Sequence, residues 1–197
     1  MGRRLLSAFK LELEKIKHKQ IKDTVKKILV EDCPDYICKC STASGGKYHP
    51  SWANGEGGLI RHTKAVCKLT ETIMNQMPNY DGMDWDVPYV AALLHDMAKY
   101  TEKDQKWSHQ DHPILMTKTI GKYYEHQPLA MSELDKMWAR ISHCVETHMS
   151  RWYKDKTGKR LGTEPSSHET YIVAHADYIA SQKWIIINFD EHNNIVE

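Results

Sequence analysis

Apolar residues mark out helices along most of the chain. Leu5, Phe9, Leu13 and Ile16 recur every three or four positions, and Ile21, Val25, Ile28 and Leu29 resume the stripe after a phase shift. That spacing lines one face of a helix, so a helix is predicted over residues 3–31, with Pro34 ending it. Residues 41–58 carry Gly45, Gly46, Pro50, Gly55, Gly57 and Gly58 and read as a long loop, a feature often tied to function in compact domains. Leu59, Val66, Leu69 and Ile73 predict a second helix over 59–77, stopped by Pro78. A third starts near Val87 and Pro88 and carries Val90, Ala91, Leu93, Leu94, Met97 and Ala98, since proline is tolerated at an early helical position. Further helices are predicted from Pro113 to about residue 124, over 133–149 and over 169–183, with a polar loop at 153–167. The apolar, β-prone stretch 184–189 reads as a short strand or a packed extension. No strand–helix alternation and no internal repeat is present, so the predicted fold class is all-α.

Composition narrows the class. A chain of 197 residues that is 41% hydrophobic can bury a sizeable core, which excludes disorder over most of its length. No apolar run approaches the ~18 residues of a membrane span, so no membrane partner is expected. The net charge of +1 argues against a whole-molecule grip on nucleic acid. The charge is uneven, however: residues 1–30 hold nine Lys or Arg against three acids. Residues 1–34 are therefore read as a basic amphipathic helix packed on, or extending, a domain over 35–197. Its basic face is either solvated or turned to a partner, and a role in homo-oligomer formation fits equally. Five cysteines, an odd number, with no secretory pattern predict reduced thiols and a cytoplasmic setting. Cys33, Cys38 and Cys40 lack zinc-ribbon spacing.

Histidine is the anomaly of the composition. Ten of the twelve lie between His49 and His175. The sharpest signal is the run 91–99, where His95 and Asp96 interrupt an apolar helical stretch ahead of Lys99. Burying both groups without partners costs several kcal/mol, so they need each other, a cap or a metal. His62 stands near the start of the second helix and Asp177 lies amid apolar residues of the last. Three helices that converge His62, His95, Asp96 and Asp177 make a mixed site with open coordination positions, the catalytic rather than the closed structural kind. His112 and His148 could add a second ion, with Asp96 as the bridge because a carboxylate has two oxygens. Imidazole and carboxylate suit Mn, Fe, Zn, Ni, Co or Mg, and affinity order does not choose among them. His143 is read as a residue that orients a ligand, and His175 as a buried hydrogen-bonded histidine.

These residues resemble the HD-domain phosphohydrolase superfamily, whose pattern is a His, a His-Asp pair and a distant Asp. Gly57-Gly58-Leu59-Ile60-Arg61-His62-Thr63 resembles the first-histidine motif. Leu93-Leu94-His95-Asp96-Met97-Ala98-Lys99 resembles the family's LLHDIGK, with Ala98 in place of Gly. Residues 143–149 resemble the segment that ends His-His-Gly in the histidine-rich members, HD-GYP proteins and HD-type 3′-to-5′ exoribonucleases. Here Met149 replaces the second of those histidines, which leaves a second ion one ligand poorer. Ala176-Asp177 matches the end of the ligand set. No GYP motif follows His148, which disfavours cyclic-di-GMP hydrolysis. The resemblance covers about residues 45–185. It implies a helical bundle with a buried site for one or two divalent ions that hydrolyses phosphate bonds.

The function expected on this basis is metal-dependent cleavage of a phosphate ester or anhydride, in a nucleotide before other substrates. Asp96 and Lys99 are the expected catalytic residues, with Lys99 one turn from His95 as a cation for phosphate. Lys47 and His49 in the glycine-rich loop, and Arg151 and Trp152 after His148, are the expected substrate contacts; backbone N–H groups could cradle phosphate in the first and an aromatic ring could stack a base in the second. Two readings compete. A 3′-to-5′ exonuclease or phosphodiesterase on RNA or DNA would show steep salt dependence, a mononucleotide enzyme mild dependence. A non-catalytic module would bind metal and nucleotide without turnover.

Overall fold

A computed structural model describes residues 3–42, 49–77, 83–103, 105, 108–124, 131–154 and 157–196. The N-terminal helix expected over 3–31 is three segments: α1 (Arg3–Ala8), α2 (Lys10–Lys15) and α3 (Lys19–Glu31). Both halves of the stripe are buried, from Leu5 to Leu29, so the phase shift marks a real break. A continuous helix would have turned one half of that stripe to water. The break at 16–18 is extended, and it frees backbone N–H groups that need partners. Asp86, itself buried, accepts both: Lys17 N–H at 2.9 Å and His18 N–H at 2.6 Å.

A short 3-10 turn, Asp35–Lys39, leads on, and a second, Ser51–Ala53, precedes α4 (Gly58–Asn75). Then come α5 (Asp86–Leu94), α6 (His112–Ile120), α7 (Glu133–Thr147) and α8 (His168–Ala180). α4, α5, α7 and α8 pack on one another as a bundle, and α6 lies against α7. All nine residues of α5 are buried, which makes it the central helix: one that is apolar all round must be enclosed. Capping boxes start α7 (Ser132 with Asp135) and α8 (Ser167 with Thr170), satisfying N–H groups that the first turn leaves free. The all-α class holds. The β-prone tail forms only a two-residue strand, β1 (Asn188–Phe189), antiparallel to β2 (Ile195–Val196).

One apolar core runs from Leu5 through Phe9, Trp138 and Tyr89 to Ala180, so α1 to α3 share it with the bundle. No disulfide joins any of the five cysteines. Among the described residues no helix is long and apolar enough to cross a membrane.

Candidate metal centre

The glycines before His62 have a steric reason. Gly57 is left-handed (φ 73°), and a Cβ on Gly58 would lie 2.2 Å from the Ala53 carbonyl oxygen. The loop therefore crosses close to the start of α4, which carries His62 one turn in. Arg61 fastens that crossing. Its guanidinium donates to the Trp52, Asn54 and Glu56 carbonyls and to Asn193 Oδ1 beside β2.

His95 and Asp96 do not sit within a helix as expected. α5 ends at Leu94, and the chain continues in tight turns whose N–H groups bond three residues back: Met97 to Leu94 and Lys99 to Asp96. The tightening brings both side chains toward α4, α6, α7 and α8. His112 opens α6 and His148 closes α7.

Two trios result. His62, His95 and Asp96 each offer a ligand atom within 4.8 Å of the others, and so do Asp96, His112 and His148; all are buried. Asp96 belongs to both, one oxygen to each. Its Oδ2 lies 3.8 Å from His62 Nε2 and 3.5 Å from His95 Nε2. Its Oδ1 lies 2.9 Å from His112 Nε2 and 3.8 Å from His148 Nε2. Asp177 Oδ1 completes the first group, 2.9 Å from His62 Nε2 and 3.7 Å from His95 Nε2. Atoms held about 2.1 Å from a common ion lie roughly 3.0 to 3.4 Å apart, so this spacing suits coordination.

The protons make the stronger test. His95, His112 and His148 each donate Nδ1–H to the carbonyl three residues back, all at 2.7 Å. A neutral imidazole has one N–H, so in the neutral form of each ring Nε2 is a bare acceptor. His112 and His148 then face each other Nε2 to Nε2 at 3.2 Å, with a carboxylate oxygen alongside. Acceptors do not stabilise acceptors; a cation between them does. His95 Nε2 is also buried with no hydrogen-bond partner. The donor set, its spacing and its orphaned lone pairs fit a divalent metal.

Electrostatics agree. Burial opposes the charge on Asp96, yet the Lys99 ammonium beside it holds its carboxyl well below the usual range. Burial likewise opposes charge on Asp177, and its contact with His62 keeps it ionised. Burial pushes His148 down to about 3, so this ring stays a neutral ligand. His95 goes the other way: burial disfavours its cation, but Asp96 and Asp177 outweigh that and raise it. The carboxylates thus draw positive charge to the position its Nε2 faces.

The other expected site residues fall around this cluster. Lys99 Nζ bonds Asp96 Oδ2 at 2.6 Å, rather than reaching out for phosphate. The His49 ring sits edge-on to His62, centroids 5.5 Å apart, and burial lowers it to about 4. Lys47 lies outside the described residues. Arg151 and Trp152 are not in the cluster; both are exposed on a 3-10 turn, Ser150–Trp152, just beyond His148. His143 bonds Ser166 Oγ at 3.2 Å. His175 is exposed, not buried as expected, and bonds the Tyr171 carbonyl. Two participants went unread in the sequence. Arg61 gave no signal beyond its place in the first motif. Tyr178, which stacks on Trp152, was signalled by Tyr171, His175 and Tyr178 at one-face spacing.

A buried His/Asp centre in an all-α bundle defines the class, and comparison places the chain within it. The HD domain family matches residues 59–182, and the chain belongs to that family. It is 32% identical over 130 residues to a dihydroneopterin 2′,3′-cyclic phosphate phosphodiesterase of Methanocaldococcus jannaschii, covering 62% of this chain and 45% of that protein. It is 26% identical over 172 residues to ribonuclease Y of Mycoplasma mycoides, covering 87% of this chain and 27% of that protein. The chain thus spans less than half the length of each. No solved structure matches it significantly.

Proposed function

We propose that the chain is a metal-dependent phosphohydrolase whose substrate is a phosphodiester of a nucleotide or short nucleic acid, and that it holds two divalent ions. The observation that carries this reading is the division of Asp96, one oxygen to each buried trio. His62, His95, Asp96 and Asp177 would hold one ion; His112, His148 and Asp96 the other. Bound there, the ions lower the pKa of attacking water and neutralise phosphoryl charge.

The chain's own residues set the rest. The three carbonyls that accept Nδ1–H fix each imidazole's tautomer and aim, so the lone pairs are arranged before any ion or substrate arrives. Lys99 holds positive charge against Asp96, where it would face phosphate oxygens bound at the centre. Asp177, with a side chain 22% exposed against 0–4% for the other five groups, marks the open side of the centre. His49 closes the neighbouring side with a neutral ring. A diester is favoured over a monoester because one relative is named for a cyclic phosphate diester and the other for RNA, whose linkage is a diester.

The test is hydrolysis of 2′,3′-cyclic AMP and of a short oligoribonucleotide by metal-loaded protein, beside the Asp96→Ala variant. Turnover lost in the variant, with the helical circular dichroism kept, supports the reading. Equal activity in both proteins contradicts it.

A further inference from the structure

Two aromatic side chains near the centre turn their faces to solvent. Trp152 is 59% exposed and Tyr178 is 40% exposed. Their rings are nearly parallel, 7° between planes and 6.5 Å between centroids. The Arg151 guanidinium lies 5.0 Å from the first ring and 6.0 Å from the second. An exposed pair of aromatic faces gains nothing from the core and leaves apolar area in water.

The placement relates this group to the candidate metal centre. Tyr178 follows Asp177, the residue at the open side. Arg151 and Trp152 follow His148 by three and four residues, on the turn that leaves α7. Ser150 begins that turn with φ 48°, a left-handed conformation costly for a residue other than glycine. Beyond it Trp152 stacks on Tyr178 of α8. One arm of the group thus follows His148 of the second trio, and the other follows Asp177, which completes the first.

We propose that Trp152, Tyr178 and Arg151 form a stacking subsite for the heteroaromatic base of the substrate, beside the phosphate held at the metal centre. This rests on the phosphodiesterase reading for the phosphate position. Flat π faces take a base of any identity, and a guanidinium adds a cation for its ring or a neighbouring phosphate. The subsite selects base-bearing phosphate esters over phosphates of plain sugars and polyols.

The test is binding rather than turnover. Metal-loaded protein is titrated calorimetrically with AMP and with ribose 5-phosphate, which lacks the base. The wild type should bind AMP about 10- to 100-fold more tightly, the range of base–aromatic stacking. Trp152→Ala should cut that preference to within about threefold and leave ribose 5-phosphate affinity unchanged, while Trp152→Phe should restore most of it. Equal wild-type affinities, or a loss of both ligands alike in Trp152→Ala, overturns the subsite. A changed sedimentation coefficient in Trp152→Ala assigns the patch to contact between copies of the chain and also overturns it. Absence of phosphodiester turnover would sink the activity reading, while the AMP comparison would still decide the subsite.

Discussion

The two halves of the centre share Asp96 but differ in how they are built. The half formed by His62, His95 and Asp177 has a carboxylate of its own, and Asp177 opens it to solvent. Among the described residues, the half formed by His112 and His148 has the shared oxygen and two imidazoles, each almost wholly buried, and Met149 stands where the resemblance puts another histidine. On the two-ion proposal, its greater anionic charge should make the first half the tighter metal position. The second depends on the first for its only carboxylate.

Removing the shared group should have the largest effect. Asp96→Ala should empty both halves and lower kcat/KM by at least about a thousandfold, read by elemental analysis and diester hydrolysis. His148→Ala should separate them. One ion per chain stays, one is lost, and activity falls by about a hundredfold; loss of both ions would show the halves do not fill independently. Gly58→Ala should act on the first half alone. Its Cβ would overlap the Ala53 carbonyl and shift the start of α4, and with it His62. A stability loss of about 1–3 kcal/mol is expected in chemical denaturation, together with weaker binding of the first ion only. Lys99→Met should do least to metal content, because it removes a competitor for Asp96 Oδ2 rather than a ligand. Turnover should drop about 10- to 100-fold with both ions retained.

Much of this site was legible in the sequence because its chemistry is local in pattern. A His-Asp pair amid Leu93, Leu94 and Met97 must be partnered wherever the chain goes. The helices that bring His62, His112, His148 and Asp177 to it show their periods openly. What escaped depended on distant partners. The break between α2 and α3 is stabilised by Asp86, some 69 positions on, and a periodic stripe with a phase shift reads the same whether the helix bends or stops. The end of α5 at Leu94 is announced by no glycine or proline in the residues that follow. Strands of two residues, as in β1 and β2, are too short to show alternation. The partner of Trp152, Tyr178, escaped because the two meet across a turn that begins with one left-handed serine, Ser150.

The most direct measurement is the metal content of the purified protein after chelator stripping and reloading with Mn²⁺, by elemental analysis against Asp96→Ala. Two ions per chain in the wild type and fewer than one in the variant are the predicted result. One ion or none in the wild type, or two retained without Asp96, would contradict a centre built on that shared carboxylate.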